Sequence, residues 1–381
     1  MPKEFTRREF LKTAGKGLSL LALFSGGLTF SLPARAENEP RCVNDLIHGE
    51  DQLKIVFLER NNDKKSDSML IIYLSAEGLD VTLHDGGLND RQTYMALLNL
   101  REEILRMAQV PKEEQDAYVL SFRMVISHFH QDHVEGLYGL IARTRKKLQV
   151  SEAYFPPATA LPVGIYNDAY NGDIKHRTKL AETLEKYQPQ AVVRTLDYGE
   201  TCLVLTDIGR IQLFAPVSDW GDEQKRLLFE DGYGYRNKSS RATSLPTAIV
   251  NANSMFMRVS LGKRSFLFTG DIEKRLDNRT DEPLDEMVAA YGESLRSDVV
   301  KYPHHGQTRN AAAKVIKKSL ITDAPDRMCV LTAIDAPQQA GKALSAIDLL
   351  WLGIEEGSLI YTVKNDAMAL LIVHDAQEFL S

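Results

Sequence analysis

Three histidines and one carboxylate crowd into six residues at His128-Phe129-His130-Gln131-Asp132-His133, directly behind the apolar run Val119–Ile126. Imidazole nitrogens and carboxylate oxygens are donors that divalent first-row metals accept, and a loop at a strand end can turn alternate side chains towards one centre. A polar loop rich in histidine by accident is the plainer alternative. The whole chain holds only nine histidines, so three within six residues favour a metal site. Other groups of the same chemistry lie at the ends of apolar runs: Asp85 in His84-Asp85-Gly86-Gly87, Asp271 in Phe268-Thr269-Gly270-Asp271, and His304-His305-Gly306. By residue type alone Asp85 also admits a reading as a turn aspartate, and Asp271 as the cap of a helix starting at Ile272.

These residues need a scaffold, and the pattern of apolar runs supplies one. Leu53–Leu58, Met69–Leu74, Asp80–Leu83 and Val119–Ile126 predict strands. Gln92–Gln109, with Met95, Leu97, Leu98, Ile104 and Leu105 at helical spacing, predicts a helix, and so does Val134–Lys147. Further strands are expected at Gln190–Leu196, Cys202–Thr206, Arg210–Ala215, Ser254–Leu261, Ser265–Thr269, Val299–Lys301, Met328–Thr332, Leu359–Val363 and Ala367–Val373. Helices are expected at Lys175–Tyr187, Leu284–Ser294, Ala311–Ser319 and Ala343–Leu352. Strands and helices alternate without a strong linker, which favours one α/β domain over two. Residues 216–246, polar and rich in Gly and Ser, read as a long functional loop or a disordered insertion.

With 381 residues, 44% of them hydrophobic, the chain has ample material for a large core and is no small disulfide scaffold. Its net charge of −6 is uneven. Residues 1–36 hold six Lys/Arg and two Glu, which leaves 40 basic and 50 acidic side chains, a charge of −10, on the remainder. An acidic body argues against a protein that works by coating nucleic acid through phosphate neutralisation, although a local basic patch is compatible with it. The charge runs Arg143–Lys147 and Lys314–Lys318 could guide an anionic polymer but read first as solvated helix faces. Three cysteines, Cys42, Cys202 and Cys329, are too few for a disulfide framework and read as small buried apolar residues. A charged start, an apolar stretch over Gly17–Leu32 and Ala34-Arg35-Ala36 together predict a signal peptide removed after Ala36.

The pair Arg7-Arg8 followed by Phe10-Leu11-Lys12 resembles the bacterial twin-arginine export signal. That resemblance implies a mature chain of residues 37–381, with its core over about 53–373, that is exported folded by the twin-arginine translocase into the periplasm without stable membrane insertion. The motif His128-x-His130-x-Asp132-His133 resembles the signature of the metallo-β-lactamase superfamily. The implied fold is a single-domain α/β αββα sandwich. In that family the first two histidines bind one metal and the Asp-His pair a second. Asp85 then corresponds to the aspartate that supports the loop, and Asp271 to the one that bridges the metals. Residue type does not distinguish His304 from His305; the family pattern favours His304 as the ligand and leaves His305 to the substrate or to holding the site in place.

Motif order is nearest to the hydrolase domain of ComEC-type DNA-uptake proteins, on the strength of Asn251-Ala252-Asn253-Ser254, Phe268-Thr269-Gly270-Asp271-Ile272-Glu273 and Tyr302-Pro303-His304-His305-Gly306. Departures from that branch are Asn61-Asn62-Asp63-Lys64-Lys65 in place of its Gly-Gln-Gly-Asp turn, Gln307-Thr308 in place of Ser, and no His-Pro element near Ala333–Lys342. A third ligand histidine between the His cluster and Asp271 is also missing. Only His176 lies there, on a predicted helix face beside Lys175 and Arg177, where a solvated role fits; Asn251 reads either as the residue that fills that region or as a plain loop asparagine. Two divalent ions, Zn first and Mn or Fe next, are therefore expected, about 3.5–4 Å apart around a bridging hydroxide. The expected activity is hydrolysis of a small-molecule, nucleotide or nucleic-acid phosphodiester, with Asp132 and His305 as catalytic residues and His305, Lys301 and Arg309 as candidate contacts to developing charge. Hydrolysis of a lactam, lactone or amide is the first alternative, and a non-catalytic metal-binding protein the second.

Overall fold

The hexapeptide Met69-Leu70-Ile71-Ile72-Tyr73-Leu74 has no polar face, and all six side chains are buried. Successive strand residues point to opposite sides, so such a run needs an apolar layer on each side. The computed structural model describes residues 28–30, 41–58, 67–88, 90–143, 146–158, 168–205, 209–220, 245–272, 283–306, 312–332, 350–353, 358–364 and 367–373. Among them, the first half of the chain contributes strands β1 (Gln52–Phe57), β2 (Met69–Leu74), β3 (Leu79–His84), β4 (Tyr118–Val125), β5 (Leu148–Phe155) and β6 (Val192–Thr195). Helices α1 (Asp90–Met107), α2 (Gln131–Arg143) and α3 (Asp168–Tyr187) lie between them. The second half contributes β7 (Thr201–Leu205), β8 (Arg210–Phe214), α4 (Leu245–Ala252), β9 (Phe256–Leu261), β10 (Arg264–Phe268), α5 (Pro283–Tyr291), β11 (Val299–Lys301), β12 (Met328–Leu331), β13 (Leu350–Gly353), β14 (Ser358–Lys364) and β15 (Ala367–Val373).

Two sheets result. One runs β15-β14-β1-β2-β3-β4-β5-β6, with Arg41–Cys42 as a ninth short strand beside β4; the other runs β7-β8-β9-β10-β11-β12-β13. Each sheet changes from antiparallel to parallel pairing part-way across, at β3–β4 in the first and β10–β11 in the second. The alternation in β2 shows the layering. Met69, Ile71 and Tyr73 meet Leu213, Met257, Phe266 and Phe268 of the second sheet, whereas Leu70, Ile72 and Leu74 pack on the helix side with Leu97, Leu100, Leu137 and Leu184. Beyond the second sheet, Leu267, Val300 and Leu331 pack with Leu284, Met287 and Ile316. The architecture is thus an αββα sandwich, the α/β arrangement that the histidine motif implies. Phe57 and Phe268 join the sheets with ring centroids 5.8 Å apart, and the Tyr73 hydroxyl donates to the Ser260 carbonyl at 2.9 Å.

Several elements differ from the sequence reading. Residues 350–352, expected in a helix over Ala343–Leu352, form β13 parallel to β12. The run Leu349-Leu350-Trp351-Leu352 is apolar throughout, so its periodicity cannot separate a buried strand from a helix. Strand β5 was not anticipated, because Gln149, Ser151 and Glu152 interrupt its apolar pattern; Glu152 is held there by an ion pair to Arg123 at 2.7 Å. Helix α4 stands where a loop end was expected, and Ala311–Ser319 resolves into a short helix at Ala313–Val315 followed by a wider turn at Ile316–Leu320. In that segment Lys314, Lys317 and Lys318 are exposed while Ile316 and Leu320 face inward. Thr29–Phe30, inside the expected signal peptide, pairs with Ile47–His48. Residues 1–27, 31–40, 59–66, 221–244, 307–311 and 333–349 lie outside the described residues, and with them the twin-arginine motif, the cleavage site, Asn61–Lys65, most of 216–246, Arg309 and Ala333–Lys342. Among the described residues, no helix is long and apolar enough to cross a membrane.

Because Phe57 is buried at the seam between the sheets, Phe57→Ala should lower unfolding free energy by about 3–5 kcal/mol, as a large core aromatic does when truncated. Urea denaturation of the two proteins side by side measures it.

Candidate metal centre

Four strands end at the same rim of the sandwich: β3 and β4 from the first sheet, β10 and β11 from the second. Asp85 follows β3, Ser127 and His128 follow β4, Asp271 follows β10, and His304 follows β11 within three residues. The site is built across the seam from loops at the carboxyl ends of parallel strands, where an α/β sheet leaves a crevice.

Asp85 organises the histidine loop. Its Oδ1 accepts the Ser127 backbone N–H at 2.8 Å, while its Oδ2 accepts the Ser127 hydroxyl at 2.7 Å and the His133 Nδ1–H at 2.8 Å. A carboxylate on Nδ1 leaves Nε2 of His133 pointing into the site. Behind it, Gly86 donates to the His133 carbonyl at 2.6 Å and Gly136 donates to the Gly87 carbonyl at 2.8 Å, which ties the turn to α2. A Cβ on Gly86 would stand 2.2 Å from Leu137 Cδ2, so only glycine lets the two elements approach this closely. Phe129, between two histidines of the motif, turns the other way and packs edge-on against Phe155, with the Arg177 guanidinium 4.2 Å from its ring centre.

The donors meet at close range. Nε2 of His305 lies 3.1 Å from Asp271 Oδ2 and 3.2 Å from Asp132 Oδ2, and Nε2 of His133 lies 3.4 Å from Asp271 Oδ2. Nε2 of His128 and Nδ1 of His130 are 3.1 Å apart. Tetrahedral ligands held about 2.0–2.1 Å from an ion stand about 3.3 Å from one another, so these spacings suit donors around shared ions. Moreover, Nε2 of both His130 and His133 is buried without a hydrogen-bond partner, a cost that an ion would remove. One atom each from Asp67, His133, Asp271 and His305 falls within 4.8 Å, and all four residues are buried. The donor set and its orphaned nitrogens fit divalent metal.

Of the two adjacent imidazoles, His305 is the one inside this group. It is fully buried, whereas the His304 side chain keeps 19% of its surface, with Nε2 3.9 Å from Asp271 Oδ2 and Nδ1 3.5 Å from Asn251 Nδ2. Lys301, expected as a contact to substrate charge, is instead sealed in the interior. Its ammonium pairs with Asp67 Oδ2 at 2.5 Å and Asp271 Oδ1 at 3.4 Å, and donates to the Gly270 carbonyl at 2.8 Å. Asp67 has no counterpart in the sequence reading; its only signal is a carboxylate two residues ahead of an apolar strand. His176 packs on α2, with Nδ1 2.5 Å from the Tyr138 hydroxyl and the two rings stacked, away from the cluster.

Burial and neighbouring charge divide the imidazoles. Burial, with His133 and His130 beside it, holds His128 well below the ordinary histidine range, and burial also pulls His130 down to about 4 against the pull of Asp132 and Asp271. Burial works the same way on His305, yet Asp271, Asp67 and Asp132 outweigh it and push its pKa up to about 10; Asp271 and Asp85 likewise raise His133. Asp271 ionises well below the usual carboxylate range, because His305, His133 and Lys301 overcome its burial. The backbone is strained here too. Of four described non-glycine residues with positive φ, three are Asp85 (54°), His304 (50°) and His305 (55°). Such conformations cost about 1–3 kcal/mol each and persist only where the surroundings enforce them.

Neither a family model nor a curated protein sequence matches the chain. Among solved structures it is similar to unliganded yeast PDE1, with a TM-score of 0.46 and 12% identity over 82% of this chain and 99% of that one. It is similar to AidC, a dizinc quorum-quenching lactonase, at 0.32 and 11% over 81% and 80% of the two chains. A long form RNase Z from yeast gives 0.36 and 8% over 85% of this chain and 50% of that one.

Since His133 and His305 carry protons near pH 7 in the metal-free protein, and coordination needs the Nε2 lone pair, metal uptake should release both protons. Affinity should therefore rise with pH through neutrality and on to at least about 10, where His305 loses its proton. Calorimetric titration with Zn in buffers of different ionisation enthalpy measures this; no buffer dependence would contradict it.

Proposed function

We propose that this chain is a metal-dependent hydrolase that cleaves a phosphodiester. The observation that carries the metal-dependent part is the convergence of Asp132, His133, Asp271 and His305 donor atoms, 3.1–3.4 Å apart, across the seam of the two sheets. His128 and His130 would hold one divalent ion, and Asp132, His133, Asp271 and His305 the other. Ions held there supply a water acidic enough to attack near neutral pH and polarise the attacked centre.

The chain's own residues do the rest. Asp85 fixes His133 with Nε2 inward, and the Ser127 hydroxyl, committed to Asp85, serves that clamp rather than attacking substrate. Burial pushes the Cys329 thiol up to about 12 and raises Cys202, so neither supplies a thiolate nucleophile. His304, partly exposed beside Asp271, is the imidazole placed to donate a proton towards an anionic oxygen or a departing group. The choice of phosphodiester over lactone, lactam or amide rests on the motif order, and in particular on Asn251 and Tyr302-Pro303-His304-His305-Gly306. Export through the twin-arginine route to the periplasm belongs to the same reading and rests on Arg7-Arg8.

Metal analysis of the purified chain, followed on the same sample by a model phosphodiester, a lactam and a lactone, tests the proposal. Close to two ions with phosphodiester turnover is the expected result. Turnover confined to the lactam or lactone would overturn the substrate class, and bound metal without turnover would make the chain a binding protein. His130→Ala should lower turnover more than about 100-fold with an unchanged far-ultraviolet spectrum, since even an outer partner of a metal ligand is worth about 10–100-fold.

A further inference from the structure

The Asp67–Lys301 pair is buried completely on both sides, and nothing in the proposed chemistry uses it. Asp67 stands close enough to His133, Asp271 and His305 to be taken for a fourth ligand. Its two oxygens are nonetheless already engaged. Oδ1 lies 3.3 Å from His305 Nδ1, and Oδ2 lies 2.5 Å from the Lys301 ammonium. Its backbone N–H donates to the Asp132 carbonyl at 3.3 Å, so the same residue touches the loop that carries Asp132. An ionised carboxylate only accepts, so Nδ1 of His305 must be the donor, assisted by Thr332 Oγ1 at 3.1 Å, and Nε2 is left facing Asp132 and Asp271. This repeats, on the second sheet, what Asp85 does for His133 on the first. Lys301 adds a restriction on Asp271: with Oδ1 held towards the ammonium, only Oδ2 faces the imidazoles.

We propose that Asp67 is a positioning residue rather than a metal ligand: it orients His305 through Nδ1, and Lys301, by holding its other oxygen, keeps it out of the coordination sphere. The inference rests on the proposed metal-dependent reading and deepens it. It makes the ion beside His305 the one whose binding depends on Asp67, while the His128–His130 ion is indifferent to it.

Zn titration of the unaltered full chain and of Asp67→Asn, with Co(II) absorption recorded in parallel, separates the cases. The expected result is two ions on both proteins, the first step unchanged and the second weakened about 10–100-fold in Asp67→Asn, the range for an outer partner of a ligand. A variant that saturates at one ion would make Asp67 a ligand and overturn the proposal. Equal affinity at both steps would overturn it as well, with the metal-dependent reading intact. An unaltered chain that takes up no metal would sink that reading together with this one. If Asp67→Asn does not fold, a crystal structure of the Zn-loaded unaltered chain decides: the proposal requires Asp67 on Lys301 and off the ion, and an Asp67 oxygen at about 2.0–2.2 Å from Zn overturns it.

Discussion

Charge that is sealed from water must be answered by charge, and this molecule seals three carboxylates, Asp67, Asp85 and Asp271, within one rim of its sandwich, with the half-buried Asp132 beside them. An ionised group buried alone would cost several kcal/mol, so each needs a donor or cation at hand. Lys301 and the imidazoles of His133 and His305 provide it. The same neutralisation explains the strained backbone: His304 and His305 both sit in the left-handed region because β11 must deliver Lys301 inward and then turn two consecutive imidazoles towards Asp271 within four residues. Strain is held there by packing that a large two-sided core can sustain.

The two imidazole classes give the site its division of labour. His128 and His130 are neutral and ready to coordinate, because burial with other imidazoles nearby disfavours their charge. His133 and His305, each backed by a carboxylate on Nδ1, are charged while no ion is present, and so serve as provisional counter-ions to the carboxylates. A pocket lined with acids and bases can in this way stay folded and closed before it is loaded.

What could be read from the chain followed from sequence distance. His128, His130, Asp132 and His133 are neighbours, and their density alone announced a metal site. Asp85, Asp271 and His304-His305 could be found because each closes an apolar run. Asp67 could not: it follows Asn and Lys residues that read as a solvated turn, and its partners Lys301 and His305 lie 234 and 238 positions away. Lys301 ends an apolar run, where a lysine ordinarily reaches for water; only the arrival of Asp67 and Asp271 makes its burial affordable. Strand order was equally hidden, since β14, far along the chain, pairs with β1 and carries β15 on its outer edge. The helix read over Ala343–Leu352 failed for the opposite reason: an all-apolar run carries no period to read.

The half-sites belong to different sheets, with Asp67 and His133 on one and Asp271 and His305 on the other. This has a consequence for the history of each molecule. No nascent fragment ending before β11 contains the group, and a chain whose two sheets have not yet docked does not bring its halves together. An ion shared by these four residues could be captured only after that long-range pairing is complete, the slowest kind of contact for a chain to find. Capture by all four would therefore report a finished seam.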